Sequence, residues 1–93
     1  MASPPPPKTW EAYARDLGLA LQRHRIAAGL TQEDLAHRAG LTRAHYQQIE
    51  RGSWSRGRPA NPSIKVLTRL AQELGVEVGH ILPPARALQR ENG

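Results

Sequence analysis

Five side chains fall at spacings that set them along one strip of a short helix: Arg43, Ala44, Gln47, Gln48 and Arg51. They supply two guanidiniums, two amides and a methyl group. Arg and Gln make bidentate hydrogen bonds to base edges in a major groove, and an alanine methyl meets the methyl of thymine. Gln32 and Thr42 stand at predicted helix starts, where a side chain and free backbone amides together suit a phosphate. Arg56 and Arg58 follow the strip by a few residues. Phosphate contacts fix register, whereas base-edge contacts read sequence. The expected division gives bases to Arg43, Ala44, Gln47 and Gln48, with Arg43 facing a guanine and Gln48 an adenine or the backbone. Gln32, Thr42, Arg51, Arg56 and Arg58 are then left for phosphates.

Two helices and a tight turn must hold that strip, and residues 31–52, TQEDLAHRAGLTRAHYQQIERG, supply them. Thr31 is a good N-cap, with Asp34 three residues on as in a capping box. Leu35, Ala36 and Ala39 make one apolar face. Gly40 suits the positive φ that ends a helix, and Leu41 suits the apolar contact after it. Thr42 caps the second helix, Tyr46 and Ile49 face inward, and Gly52 ends it.

The remaining chain reads as support. A first helix spans about Thr9–Ala28, with Trp10, Tyr13, Ala14, Leu17, Leu21, His24 and Ala28 on a buried stripe. Gly18 within it marks a kink or a close contact. Residues 53–61, SWSRGRPAN, read as an extended basic loop, with Trp54 a lid on the core. Arg56-Gly57-Arg58-Pro59 matches the core of an AT-hook, an extended strand whose arginines enter a narrow minor groove. A fourth helix takes Asn61 as cap and Pro62 at its first position, buries Ile64, Leu67, Leu70, Ala71 and Leu74, and ends before Gly75. Val76, Val78, Ile81 and Leu82 continue the apolar surface through a short, poorly capped fifth helix that Pro83-Pro84 stops. Residues 1–8 read as a disordered proline-rich tail, 9–83 as the folded domain and 84–93 as a C-terminal tail, in which 85–93 either form a last helical turn or fray.

Taken together, Gln32, Ala36, Gly40, Leu41, Thr42, Ile49 and the Glu50-Arg51-Gly52 close resemble the lambda repressor/Cro-like (XRE-like) helix-turn-helix family over residues 17–82. The resemblance implies an all-α, five-helix fold. It implies that Arg25 bonds Glu50 and ties the first helix to the recognition helix. It also implies two-fold dimers on a partly palindromic operator, with recognition helices about 34 Å apart, and it puts the apolar residues of 76–82 at the dimer surface unless they only close the monomer core. Departures are plain as well. His24 and Gln22 stand where relatives carry Leu and Arg, Glu77 stands where they carry Ser or Thr, and nine residues separate Gly52 from Pro62 where relatives have a much shorter connection.

Composition narrows the function. At 93 residues the chain has room for one small domain. The net charge is +5, and over residues 31–69 seven basic residues face three acidic ones, so the excess gathers around the motif and suits a polyanion. Cysteine is absent and the four histidines are scattered, so neither a disulfide nor a metal centre is expected. No cofactor is expected either. No long apolar run suggests a membrane span or signal peptide, which makes the cytoplasm the default compartment. No paired carboxylates, Ser-His-Asp set or phosphate loop suggests an enzyme. The expected function is a sequence-specific regulator of transcription on double-stranded DNA, a repressor, acting as a homodimer at least on DNA. The competing expectations are an antitoxin that regulates its own operon and binds a toxin, and a protein-interaction module without DNA binding.

Overall fold

Side-chain caps decide where most of the helices begin. The computed structural model describes residues 6–90. Thr9 Oγ1 accepts from the Ala12 amide at 3.2 Å and opens α1, Trp10–Ala27. Its inner face carries Tyr13, Ala14, Leu17, Gly18, Ala20 and Leu21. Trp10 stacks on Tyr13 at the half-buried start of the stripe. Ala28, expected on that stripe, is exposed, because the helix has already ended and Gly29 turns the chain at φ +72°. His24 is half-buried, with Nε2 3.2 Å from the His80 carbonyl oxygen.

The capping box at Thr31 is complete: its hydroxyl accepts from the Asp34 amide at 3.0 Å, and Asp34 Oδ2 accepts from the Thr31 amide at 3.2 Å. It opens α2, Gln32–Arg38, which buries Leu35 and Ala36. Gly40 turns at φ +74°, and the Leu41 amide returns to the Ala36 carbonyl at 2.8 Å. Thr42 Oγ1 accepts from the His45 amide at 3.0 Å and opens α3, Arg43–Arg51. Tyr46 and Ile49 are wholly buried, as the spacing predicts.

Residues 53–61 depart from the expected loop. They fold as an antiparallel hairpin, β1 Ser53–Ser55 and β2 Arg58–Pro59, with Ser53 opposite Pro59, Ser55 opposite Arg58 and an irregularity between. Arg56-Gly57 makes its tip, with Gly57 at φ +74°, so the AT-hook match is split between a tight turn and β2 and is not one extended strand. A small two-stranded sheet thus joins an otherwise helical fold. Trp54 lies against the core, as expected, and its ring meets His45 at 5.5 Å.

The fourth helix, α4, runs Ile64–Leu74 and starts two residues later than the Pro62 start expected. Ser63, not Asn61, is the cap: its hydroxyl accepts from the Val66 amide at 3.1 Å. Ile64 therefore sits in the first turn, ahead of the buried face, and is 82% exposed; Leu67, Leu70 and Ala71 are buried as expected. Next, α5, Val78–Ile81, has no side-chain cap at Glu77, in line with its sequence. Ile81 is sealed in the core, and Val76, Val78 and Leu82 pack at its rim.

Both ends of the described chain are tied to the domain. Lys8 bridges Leu88 in parallel fashion, donating to the Ala87 carbonyl and accepting from the Gln89 amide, each at 2.7 Å. Lys8 also pairs with Asp16, and the Tyr13 hydroxyl donates to the Pro83 carbonyl at 2.8 Å. A 3-10 turn, Ala85–Ala87, lies within this clasp. The expected disorder of residues 1–5 and the last three residues of the C-terminal tail lie outside the described residues.

Six large side chains, Tyr46, Leu21, Leu35, Ile49, Leu70 and Ile81, are sealed at the centre. Each aliphatic one contributes about 1.5–3 kcal/mol by leaving water. Gly18 brings α1 and α3 together: a Cβ there would lie 2.1 Å from the Glu50 carbonyl oxygen. Gly18 is thus the close contact, and its type is fixed by backbone proximity.

Candidate nucleic-acid interface

Burying Tyr46 and Ile49 turns the other face of α3 outward. Arg43, Ala44 and Arg51 are exposed, as are Thr42 before them and Arg56 and Arg58 on the hairpin. Gln32, Gln47 and Gln48 are half-buried and hydrogen-bonded within the chain. Gln32 and Arg43 border one groove with Thr31 and Glu33, so the start of α2 and the start of α3 form a continuous surface. Of the nine residues expected at the interface, Gln32 contacts Gln47 and borders a groove with Arg43, and Thr42 and Ala44 flank Arg43 in the chain. Arg51 and Arg58 share a cleft farther along.

Gln48 is tied to the hairpin: its Nε2 donates to the Trp54 carbonyl at 3.2 Å. Arg51 is also restrained, donating from Nε to Ser53 Oγ at 3.1 Å and from Nη2 to the Ser53 carbonyl at 3.2 Å. Both restraints come from the hairpin. Its sequence signal is faint, two short polar-aromatic stretches around a glycine. Arg15 was not singled out by its spacing, yet it lines a cleft of about 170 Å³ with Arg51, Arg58 and Glu11. It reaches there because Gly52 lets the chain pass α1: a Cβ at Gly52 would lie 2.8 Å from the Arg15 Cα.

Arg25 and Glu50 pair as the resemblance implied. Arg25 Nε and Nη2 grip Glu50 Oε2 and Oε1 at 3.0 and 2.8 Å, and Nη1 donates to the Leu30 carbonyl at 2.9 Å. Both side chains are largely buried, at 12% and 5% exposure. Burial pushes the Glu50 carboxyl up, but hydrogen bonding, first from Arg25, outweighs it and holds the group below its ordinary value of 4.5. The hydrogen bond to Glu50 raises Arg25 in turn. The Tyr46 hydroxyl is buried near this pair, without a hydrogen bond of acceptable geometry among the described residues, and burial raises its pKa.

Gln32 extends the pair outward. Its Nε2 donates to Glu50 Oε1 at 3.3 Å, and its Oε1 accepts from Gln47 Nε2 at 3.2 Å. A chain of polar contacts therefore runs from α1 to the outer face of α3.

Comparison with known proteins places this geometry. The helix-turn-helix family profile matches residues 21–81. An uncharacterised HTH-type transcriptional regulator of Methanothermobacter thermautotrophicus is 40% identical over 57 residues, which are 61% of this chain and 74% of that one. The restriction-modification controller protein C.AhdI from Aeromonas hydrophila superposes with a TM-score of 0.68 at 32% identity, over 76% of this chain and 98% of its own. SinR, a master regulator for biofilm formation solved in complex with DNA, superposes with a TM-score of 0.57 at 28% identity, over 68% of this chain and 92% of its own. With two thirds of its length matched by the family profile and the same lambda repressor-like arrangement in solved neighbours, this chain belongs to the helix-turn-helix family.

Proposed function

We propose that this protein is a DNA-binding regulator of transcription, a repressor, that reads the major groove of duplex DNA with α3. The observation that carries the reading is the burial of Tyr46 and Ile49, which leaves Arg43 and Ala44 exposed on α3 with Gln47 beside them. Arg43 contacts a guanine, Ala44 a thymine methyl and Gln47 a neighbouring base. Gln32, Thr42, Arg51, Arg56 and Arg58 hold phosphates on either side, and Gln48 braces the hairpin. Residues 9–83 carry the activity, in the cytoplasm. One unit covers half a site, so two copies bind a partly palindromic operator. The SinR complex with DNA supports the docking mode, since that protein has the same fold.

Selection of bound sites from random duplex tests this directly. Recovery of one half-site, repeated in two-fold symmetry, is expected. Arg43→Ala should then cost about 1–3 kcal/mol and relax one base pair. Failure to retain duplex of any sequence at low salt would end the proposal.

A further inference from the structure

Amide side chains have no intrinsic direction, but the contact from Glu50 outward imposes one. An ionised carboxylate only accepts hydrogen bonds. Glu50 is held ionised by the Arg25 fork, so the end of Gln32 that meets it must be the nitrogen. The other end of that amide, Oε1, then faces Gln47 and only accepts. Gln47 must therefore turn its own nitrogen inward, as it does at 3.2 Å. Reversing either amide would set two acceptors face to face.

The consequence appears at the outer surface. Gln47 Oε1 accepts no hydrogen bond among the described residues, and one of its N–H groups remains free. Resting on the major-groove reading of α3, we infer that Gln32 is a positioning residue for Gln47. Through Gln32 the buried Arg25–Glu50 pair fixes Gln47 with its carbonyl oxygen outward. The group that oxygen meets is an exocyclic amine, N6 of adenine or N4 of cytosine, with adenine favoured because its N7 also accepts the free N–H. Gln32 itself touches no base edge in this role.

Gln32→Met removes both amide bonds while keeping a helix-compatible chain of similar length, and Gln32→Ala serves as a second variant should the first fail to fold. Two measurements separate this inference from the reading it rests on. In the free protein, nitrogen-15 relaxation of the Gln47 side-chain amide should report a restrained group in the parent and a mobile one in either variant. On duplexes altered one base pair at a time, the variants should lose roughly tenfold discrimination at the pair that Gln47→Ala also relaxes, with other positions unchanged. Adding Gln47→Ala to Gln32→Met should then cost nothing further at that pair. A Gln47 amide equally restrained without Gln32 overturns the inference. So does a loss of affinity by the same factor on every duplex, which would make Gln32 a phosphate contact alone. If no duplex binds the parent protein, the DNA-binding proposal falls, and the relaxation data still decide whether Gln32 orients Gln47.

Discussion

At the scale of single residues, Glu50 serves two ends at once. It neutralises a largely buried guanidinium, and it anchors the chain of amides that leads to the surface. Such a pair need not stabilise the fold relative to apolar residues of the same shape, but deleting one partner strands the other. Glu50→Ala should therefore cost about 3–5 kcal/mol, seen as a large fall in melting temperature. Acid should act on the same group. The folded carboxyl lies below its ordinary 4.5, so its stabilisation is present above that pH and is lost as pH falls through the lower folded value. Between pH 6 and 3 the parent protein should lose more stability than Glu50→Gln, whose amide does not titrate. Parallel melting curves for the two proteins over that range would show that Glu50 contributes nothing by its charge.

At the scale of elements, the same capping logic both succeeded and misled. Thr31 and Thr42 were legible because each is followed by an apolar pattern that fits only one start. Before α4, proline at a first-turn position pointed to Asn61 as the cap, whereas the capping side chain is Ser63, two residues later. Pro62 therefore belongs to the extended approach. Ser63→Ala should cost about 1 kcal/mol and Asn61→Ala close to none, by denaturant unfolding. The hairpin was less legible still. Two strands of three and two residues are too short for alternation to stand out, and their stability comes from Trp54 resting on the core. The terminal clasp was hidden for a related reason: pairing between Lys8 and Leu88 joins the two ends of the chain, and local sequence carries no signal of it. By contrast Gly18 was legible as an oddity inside a helix, and the structure supplies its cause. Gly18→Ala must push α3 away from α1, and about 1–3 kcal/mol of destabilisation is expected, with altered DNA affinity in whatever fraction remains folded.

At the scale of the whole molecule, charge and apolar surface make separate demands. The excess of basic groups supplies affinity through counterion release, so binding should weaken steeply with salt, by a slope of about 0.9 per phosphate held. Replacing Arg56 and Arg58 together by alanine should lower that slope by nearly two if both meet phosphates. A loss confined to A·T-rich sites would instead place them in a minor groove. Dimerisation depends on what apolar surface is left over. Ile81, one of the two largest apolar side chains of the expected dimer surface, is 1% exposed and already belongs to the monomer core. Only the rims of Val76, Val78 and Leu82 remain half-buried and open to a second copy. That remnant is small beside the roughly 1,200–2,000 Å² that stable interfaces bury. Two copies held on adjacent half-sites need far less, because the DNA raises their effective concentration. Equilibrium sedimentation at micromolar protein should therefore find a monomer in free solution and two copies per duplex carrying both half-sites. Val78→Asp should abolish that pairing while leaving the affinity for a single half-site unchanged. A stable dimer without DNA would mean that a larger surface, the exposed Ile64 among its candidates, brings the copies together.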